Sequence, residues 1–380
     1  MKVISVILIS SIILSVHNSD AAPLKKVILG DEETKSKGAM CLDGSPPGYY
    51  IRTGASSPNK WRFHLHGGGW CSDEDECVEA SKGQYGSSSD TYWPDSYTMY
   101  GFLSDNCTDN PEFCGWSIMV VIYCDGASFT GYVEEPVTWK DTTLYFRGAK
   151  ILDVMIDNFL TLGGDEMEQI ILTGCSAGGL ATYIHVDYFR SKVPSHIPVH
   201  AMADAGYFLD APNVTGEMHI RGYYQNIFKL HNCKDRVNQD CIADNPTEEW
   251  KCFMAQYIYP YIETPIFLLN SIYDIWQIDN ILQLDCHPPD CNDDQLEQFE
   301  TYGTEFIAAA NVPIASSNNG VYINSCQYHC QSTFYTEVNW SKTKADGQTA
   351  WDTFNAWLYN DTSKSSKIVN DYPSEEICDF

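Results

Sequence analysis

Short apolar runs recur along the chain, and several of the longer segments between them have the apolar spacing of helices. The runs are rich in β-branched and aromatic residues and are bounded by glycine or polar residues, which predicts strands. The predicted strands are residues 61–65, 118–123, 169–173, 199–203, 265–270 and 320–323, and the predicted helices are residues 146–162, 180–190, 293–310 and 347–359. Strands alternating with helices predict an α/β fold, with a mostly parallel sheet covered by helices on both faces.

The first 22 residues have the pattern of a secretory signal peptide. Lys2 precedes a largely apolar stretch from Val3 to Val16, and the small residues Ala21 and Ala22 end the segment. The stretch is shorter than the ~18 to 20 apolar residues that a membrane-spanning helix needs. We therefore predict a signal peptide over residues 1–22 and no membrane insertion after its removal. Neither a repeat nor a low-complexity linker divides residues 23–380, which are predicted to form a single domain.

The 15 cysteines are more than an ordinary cytosolic enzyme contains. Several lie close together in sequence, which favours short disulfide loops, although spacing alone leaves the connectivity open. The close pairs are Cys71 and Cys77, Cys107 and Cys114, Cys233 and Cys241, Cys286 and Cys291, and Cys326 and Cys330. Zinc is the competing interpretation, but paired C-x-x-C motifs are absent from the sequence and we expect no metal site. Because the number is odd, at least one thiol is unpaired if the others are bonded.

Four N-x-S/T motifs also fit an extracellular or lumenal protein, at Asn106, Asn213, Asn339 and Asn360. The chain is predicted to be secreted or to be held in an endomembrane lumen such as a vacuole. Its net charge of −28 would repel nucleic acid and anionic membrane surfaces, so neither is expected as a main partner. The hydrophobic content of 44% is ample for a core, and we expect a monomer.

Residues 174–178 read Gly-Cys-Ser-Ala-Gly, which matches the G-x-S-x-G motif of serine hydrolases. The apolar run before the motif predicts a strand and the segment after it predicts a helix, so the motif has the strand, turn and helix that a nucleophile elbow requires. We predict Ser176 as a nucleophile. The alternative is a glycine-rich turn between a strand and a helix without chemistry.

A nucleophilic serine needs hydrogen-bond donors for the oxyanion that it creates. Residues 66–70, His-Gly-Gly-Gly-Trp, follow a predicted strand, and such loops supply backbone N–H groups in esterases. We assign the oxyanion hole to the N–H groups of Gly68, Gly69 and Ala177, with a plain glycine turn as the alternative. His64 and His66 form an H-x-H pair that could bind a metal, but a third ligand at a helpful spacing is lacking, and core or supporting roles are favoured.

The acid and base should follow the serine in the order acid, then histidine. Asp274 follows a predicted strand and is the leading acid, and Asp204, which follows another, is the rival that the residues alone leave open. Asp279 lies one helical turn beyond Asp274 and is expected at the surface. His329 follows the last predicted strand and is the leading base, with His287, in a Cys- and Pro-rich loop, as a weaker candidate.

Seven blocks of sequence resemble the plant-type pectin acetylesterases, which share a family with the Notum carboxylesterases. The blocks are residues 39–47, 64–71, 123–131, 174–179, 203–208, 269–278 and 323–331, and the resemblance covers about residues 39–358. It implies an α/β-hydrolase fold, stabilised by disulfides, and one catalytic domain over residues 23–380. The implied activity is that of a serine esterase that removes acetyl groups from cell-wall polysaccharide such as pectin, without a metal or organic cofactor.

The resemblance also assigns roles residue by residue. It implies that Ser176 is the nucleophile, Asp274 the acid and His329 the base, which decides against Asp204. The family usually has Glu where this chain has His66. Within the matching blocks, the side chains expected to bind substrate are Asp125, Trp70 and Trp276. We nominate Cys175 as the unpaired thiol, because an elbow residue has little freedom to reach a partner.

Two other functions stay open at this point. One is a Notum-like esterase that removes a long acyl group from a protein or lipid, and the other is a secreted binding protein on an inactive hydrolase scaffold.

The negative net charge of the chain also leaves two possibilities open for the substrate. De-esterified pectin is a polyanion, so either a basic strip offsets the repulsion or the substrate is less charged, as highly esterified pectin or acetylated xylan would be. The residues proposed for the strip are Arg52, Arg62, Lys140 and Arg147. We also expect the rate to fall below about pH 6, as a neutral histidine base becomes protonated.

Overall fold

A central sheet of ten strands runs through the described residues, 23–333 and 340–370, of this computed structural model. Its strand order is β14-β11-β10-β9-β8-β3-β5-β2-β1-β4. The strands are β1 Leu24–Ile28, β2 Gly48–Arg52, β3 Ser57–Leu65, β4 Ser96–Tyr97, β5 Trp116–Val121, β6 Val137–Trp139, β7 Thr142–Leu144, β8 Gln169–Cys175, β9 Val199–Asp204, β10 Ile266–Ser271, β11 Gly320–Asn324, β12 Lys344–Ala345, β13 Gln348–Thr349 and β14 Lys367–Val369. Two small hairpins, β6–β7 and β12–β13, lie outside the central sheet.

Helices connect the strands of the sheet. They are α1 Asp31–Lys37, α2 Glu74–Ser81, α3 Gly148–Gly163, α4 Ala177–Lys192, α5 His219–Leu230, α6 Gln239–Asp244, α7 Ala255–Ile258, α8 Ile275–Gln277, α9 Asp293–Ala309, α10 Asn311–Ala315 and α11 Ala350–Tyr359. In the part of the chain that the structure describes, no helix combines the length and the apolar composition needed to cross a membrane. The predicted signal peptide, residues 1–22, lies outside the described residues.

The seven strands from β14 to β5 pair in parallel, and β2, β1 and β4 extend the sheet in antiparallel fashion. The six strands predicted from the sequence are β3, β5, β8, β9, β10 and β11, and they occupy adjacent positions in the sheet. The predicted α/β class and mostly parallel sheet are therefore confirmed. The other four strands of the central sheet, which the pattern did not predict, lie toward its edges, where shorter or more polar segments suffice.

Apolar side chains of one strand enter two separate cores. On β8, Leu172 belongs to the larger core and its neighbour Ile171 to the other. In the larger core Phe63 lies 5.1 Å from Phe189 of α4, measured between ring centroids. Because both faces of these strands are covered, their sequences are nearly continuous apolar runs instead of alternating patterns.

Six disulfides join residues of the described chain. Three of the predicted close pairs are bonded: Cys71–Cys77, Cys107–Cys114 and Cys286–Cys291. The other bonds are Cys41–Cys124, Cys241–Cys252 and Cys175–Cys330. Two predicted pairs were wrong, since Cys241 bonds to Cys252 and not Cys233, and Cys330 bonds to Cys175 and not Cys326.

The nomination of Cys175 as the unpaired thiol was also wrong, and the free cysteine of the described residues is the buried Cys233. The elbow residue does not need to move, because the loop after β11 brings Cys330 to it. Their Cα atoms are 5.5 Å apart although 155 positions separate them in sequence. Proximity along the chain could not reveal this pair.

Candidate active site

Ser176 lies at the sharp turn between β8 and α4. It has φ of 59° and ψ of −125°, a strained conformation that nucleophile elbows share. Its N–H donates to the carbonyl of Asp204 at 3.0 Å, and its carbonyl accepts from the N–H of Leu180 at 2.9 Å. A Cβ atom on Gly178 would lie 2.0 Å from the carbonyl oxygen of Leu65, so the turn packs too closely against β3 for a larger residue. The predicted elbow is therefore present.

Asp274 and His329 form a direct pair at the ends of β10 and β11. His329 Nδ1 lies 2.8 Å from Oδ2 and 3.0 Å from Oδ1 of Asp274. The carboxylate is fully buried and also accepts from the N–H of Gln277 at 3.2 Å, which fixes its orientation. The ring of Trp276 lies nearly parallel to the His329 ring, at 6.4 Å between centroids. This pairing leaves Nε2 as the imidazole nitrogen available for proton transfer.

Opposing effects set the pKa of His329. Burial alone would lower the pKa, because it disfavours the charged ring. The charge and hydrogen bond of Asp274 and the charge of Asp204 oppose burial, and together they raise the pKa above its ordinary value of 6.5. The imidazole is therefore a stronger base than an isolated histidine.

The glycine loop after β3 lies directly against the elbow. A Cβ atom on Gly67 would lie 2.2 Å from the carbonyl oxygen of Cys175 and 3.3 Å from the N of Ala177. Gly69 has φ of 75°, in the left-handed region that favours glycine. The backbone of the loop therefore reaches the first residue of α4, as an oxyanion hole built from both elements requires.

Two side chains that sequence reasoning missed hold this arrangement together. The hydroxyl of Tyr123 donates to the carbonyl of Gly69 at 2.6 Å and accepts from the N–H of Ser128 at 3.0 Å. The hydroxyl of Ser128 donates to the carbonyl of Ala177 at 2.7 Å. The glycine loop and the start of α4 are thus joined through one short chain of hydrogen bonds. The sequence signal that could have identified Tyr123 and Ser128 was their position in the matching block of residues 123–131.

A cavity of about 500 Å³ brings these groups to one place. Ser176, His329 and the loop Gly67 to Gly69 all contribute to its wall. Among the described residues, no hydrogen bond joins the Ser176 hydroxyl to His329, and such contacts are often longer in free enzymes than in complexes. Aromatic and thioether side chains form much of the remaining wall: Tyr85, Tyr97, Met99, Tyr100 and Trp276.

The sequence matches the family of pectinacetylesterases over residues 18–379. This chain belongs to the pectinacetylesterase family. It is 35% identical to pectin acetylesterase 5 of Arabidopsis thaliana over 361 residues, which cover 90% of this chain and 82% of the relative. Identity to pectin acetylesterase 4 of the same plant is 32%, over 97% of this chain and 91% of the relative.

More distant relatives carry a different name. The palmitoleoyl-protein carboxylesterase NOTUM of Schmidtea mediterranea is 27% identical over 89% of this chain and 64% of the relative. Among solved structures, the Wnt deacylase Notum from Drosophila superposes with a TM-score of 0.79 at 23% identity, over 93% of this chain and 97% of that structure. The chain is a carboxylic ester hydrolase with an α/β-hydrolase fold, as the resemblance implied.

The rival carboxylates of this pectinacetylesterase family member do not contact the base. Asp204 is buried and hydrogen-bonds to Ser332 instead of His329. Asp279 is exposed, as expected, and its Oδ1 lies 3.0 Å from Nε2 of His287. Among the three candidate acids, Asp274 is therefore the one that the fold brings to His329.

The H-x-H pair of the esterase lies in the cavity wall. His64 Nδ1 lies 2.9 Å from the hydroxyl of Thr173, and burial lowers the pKa of His64 to about 3. His66 Nδ1 donates to the carbonyl of Gly67 at 2.6 Å, and burial lowers its pKa as well. His66 therefore supports the glycine loop directly.

The three side chains expected to bind substrate have different locations. Trp276 lines the cavity. Trp70 packs behind it, with ring centroids 5.7 Å apart, and its indole N–H donates to the Ser128 hydroxyl at 2.8 Å. Asp125 is completely buried and accepts from the N–H of Phe129 at 2.9 Å. The fold does not bring Asp125 to the cavity, because its carboxylate closes the turn that carries Ser128.

The four cations named for the basic strip, one of the two alternatives, do not form such a strip in the described residues. Arg62 is completely buried and donates to the carbonyls of Phe102 and Trp116. Arg147 is buried as well, Arg52 lies 3.6 Å from Asp105, and Lys140 lies 2.5 Å from Asp75. Neither lysine nor arginine lines the cavity in the described part of the chain, and residues 334–339 contain neither type in sequence. Position along the chain could not show that Arg62 and Arg147 lie inside the fold, or that the exposed Lys140 pairs with Asp75.

Proposed function

We propose that the protein is a serine esterase that removes O-acetyl groups from a cell-wall polysaccharide such as pectin. The observation that carries the proposal is the shared cavity, in which Ser176 on the elbow lies beside an Asp274–His329 pair. The membership of the pectinacetylesterase family supports the substrate class. A metal or organic cofactor has no step to perform in this chemistry.

The reaction proceeds by two acyl transfers. His329 Nε2 takes the proton of the Ser176 hydroxyl as its oxygen attacks the ester carbonyl. Asp274 accepts the Nδ1–H bond, which holds the tautomer and stabilises the imidazolium. The imidazolium then gives its proton to the departing sugar alcohol, and an acetyl group remains on Ser176. Water, deprotonated by His329, attacks this ester, and the imidazolium returns the proton to the Ser176 oxygen as acetate leaves.

The oxyanion of each step is bound by the N–H groups of Gly68, Gly69 and Ala177. The loss of one such donor in comparable enzymes costs about 3 to 4 kcal/mol of transition-state stabilisation. Donors of this kind must be fixed before the reaction, and the hydrogen bonds through Tyr123 and Ser128 supply the rigidity.

The alternative is an esterase that removes a long acyl chain, and the fold similarity to the Wnt deacylase favours it. The identities favour the acetylesterase, because they are 35% to a pectin acetylesterase and 27% to a palmitoleoyl-protein carboxylesterase. Among the described residues, neither lysine nor arginine lines the cavity, which favours a substrate with few free carboxylates. Highly esterified pectin and acetylated xylan both meet this condition.

Hydrolysis of p-nitrophenyl esters from acetyl to palmitoyl tests the proposal, with Ser176→Ala as the control. A preference for acetyl that the control abolishes is the expected result. A preference for long chains would transfer the assignment to the protein or lipid deacylase. If the wild type and Ser176→Ala do not differ in turnover, the triad does not work and the binding-protein function remains. Asp274→Asn should lower kcat by about 10⁴-fold, as loss of the orienting carboxylate does in other triads.

We further propose that the protein is secreted and carries N-linked glycans. The disulfides support an oxidising compartment. Asn360 is exposed and Asn106 half-buried, so both are candidate acceptors. Asn213 is buried and its amide donates to the side chain of Gln283 at 2.7 Å, so we expect no glycan there. Asn339 lies outside the described residues. Peptide mapping after enzymatic deglycosylation of the secreted protein tests these assignments.

A further inference from the structure

Asp204 is a buried carboxylate that the proposed mechanism does not use. It ends β9 and is 1% exposed. No lysine or arginine of the described chain forms an ion pair with it, and Oδ1 has no hydrogen-bond partner there. Burying a carboxylate without a cation is costly, so a fold that retains one requires a reason.

The contacts of Asp204 reach both halves of the proposed triad. Its Oδ2 accepts from the N–H of Ser332 at 2.7 Å and from the hydroxyl of Ser332 at 2.6 Å. Ser332 lies three positions after His329, in the segment of residues 325–333, which we call the base loop. The carbonyl of Asp204 accepts from the N–H of Ser176 at 3.0 Å. One residue therefore binds the nucleophile through its main chain and the base loop through its side chain.

We propose that Asp204 is a positioning residue, which fixes the base loop against the nucleophile elbow and places a second negative charge near His329. The inference rests on the proposed serine esterase mechanism. Asp204 is not the orienting acid of the triad, because both carboxylate oxygens of Asp274 lie within hydrogen-bond distance of His329 Nδ1. The role of Asp204 is to hold the base loop in place, so that Nε2 of His329 stays in line with Ser176.

The electrostatics agree with this geometry. The groups that act on His329 are Asp274 and Asp204, and both raise its pKa. Burial raises the pKa of Asp204 itself to about 6, its hydrogen bonds from Ser332 and the charge of His329 oppose that rise, and the charge of Asp274 adds to it. Tyr183 is buried nearby and its pKa is raised, so it stays neutral and does not compete. Near neutral pH, Asp204 is thus ionised and supports the protonated form of the base.

Two variants separate charge from anchoring. Asp204→Asn removes the charge and keeps an oxygen that can accept from Ser332, whereas Ser332→Ala keeps the charge and removes one of the two hydrogen bonds. Hydrolysis of p-nitrophenyl acetate is measured as a function of pH for both, beside the wild type. Thermal unfolding of each protein reports whether it is folded.

We expect the acid limb of kcat/KM to move to lower pH by about 0.5 to 1 unit in Asp204→Asn, because one of the two charges that raise the pKa of His329 is gone. The limb of Ser332→Ala should coincide with that of the wild type. Ser332→Ala should lose kcat by on the order of tenfold or more, since the loop is held less firmly, whereas Asp204→Asn keeps an acceptor for Ser332 and should lose less. An acid limb that does not move in a folded Asp204→Asn protein would overturn the inference.

A second measurement covers the case in which Asp204→Asn does not fold. Ser332→Ala leaves the carboxylate in place, so its kcat on p-nitrophenyl acetate reports the anchoring of the base loop alone. A folded Ser332→Ala protein with the kcat of the wild type would overturn the inference. The proposed function fails separately, since its failure appears as full activity in Ser176→Ala.

Discussion

Cys175 is bonded to Cys330, so a disulfide joins the residue before the proposed nucleophile to the residue after the proposed base. Both sulfur-bearing side chains are buried. The bond attaches Cys330 of the base loop to β8, and the hydrogen bonds from Ser332 to Asp204 attach the same loop to the neighbouring strand β9. The distance between Ser176 and His329 therefore depends on the attachment of the base loop as well as on the positions of the strands in the sheet.

Replacement of this disulfide should affect catalysis more than replacement of a peripheral one. In Cys175→Ser/Cys330→Ser, kcat on p-nitrophenyl acetate should fall by on the order of 10- to 100-fold, because small displacements of catalytic groups are costly. Chain entropy adds a stability loss of up to roughly 5 kcal/mol for a loop of this length. Steady-state kinetics and thermal unfolding measure the two effects.

Cys107→Ser/Cys114→Ser is the matched control, since this bond closes a loop over a separation of 7 and lies outside the cavity wall. Its stability loss should be about 2 kcal/mol and its kcat near that of the wild type. Equal kcat values for the two double variants would show that the Cys175–Cys330 bond does not position the base.

The pH dependence of activity should reflect the raised pKa of His329. The base must be neutral to accept the serine proton, so activity is lost as pH falls through its pKa. Because Asp274 and Asp204 together outweigh burial and raise this pKa above 6.5, the decline should begin above pH 6.5 and not near pH 6, the value expected for an unperturbed histidine. The profile of kcat/KM for p-nitrophenyl acetate measures it, and activity that is constant down to about pH 5 would contradict this assignment of the base.

The glycine loop should tolerate substitution unequally. In Gly67→Ala the new Cβ atom would lie 2.2 Å from a carbonyl oxygen of the elbow, and backbone cannot move aside without displacing Ser176. A Cβ atom on Gly69 has no neighbour within 4 Å, so Gly69→Ala carries only the strain of a positive φ, roughly 1 to 2 kcal/mol. We expect kcat to fall by at least 100-fold in Gly67→Ala and clearly less in Gly69→Ala. Similar losses in both variants would mean that the close approach to the elbow is unimportant.

The sequence was sufficient to predict the strands at the centre of the sheet and the residues at their carboxyl ends. Apolar runs identify strands covered on both faces, and Ser176, Asp274 and His329 each follow one of them. Parallel strands place these ends together, so the order of motifs carries spatial information. β1, which lies next to the edge strand β4 and includes two lysines, lacks such a run and was not predicted.

Contacts between distant segments could not be predicted in this way. The Cys175–Cys330 bond depends on the path of the base loop, and the Tyr123 and Ser128 hydrogen bonds depend on a turn far from the glycine loop in sequence. Sequence reasoning about charge erred in another way, because it proposed buried arginines for a cationic surface. Arg62 and Arg147 count toward the net charge but lie inside the fold, where they donate to carbonyls and offer nothing to a substrate.

The absence of cations at the cavity predicts how activity depends on substrate charge. The net charge is −28, and in the described residues the cavity wall carries no lysine or arginine to offset it. An acetylated pectin with free carboxylates should therefore be repelled at low ionic strength, and the repulsion should weaken as salt shortens the screening length. The same pectin with its carboxylates methyl-esterified should be deacetylated efficiently at every salt concentration.

Acetate release from the two pectins at about 0.01 M and about 0.5 M ionic strength measures this dependence. For the charged pectin, kcat/KM should rise with salt by on the order of tenfold, whereas the methyl-esterified pectin and p-nitrophenyl acetate should change little. The uncharged ester is the control, because it reports any direct effect of salt on Ser176 and His329. A charged pectin that is deacetylated best at low salt would place an attractive cationic surface beyond the cavity and would contradict a substrate with few carboxylates.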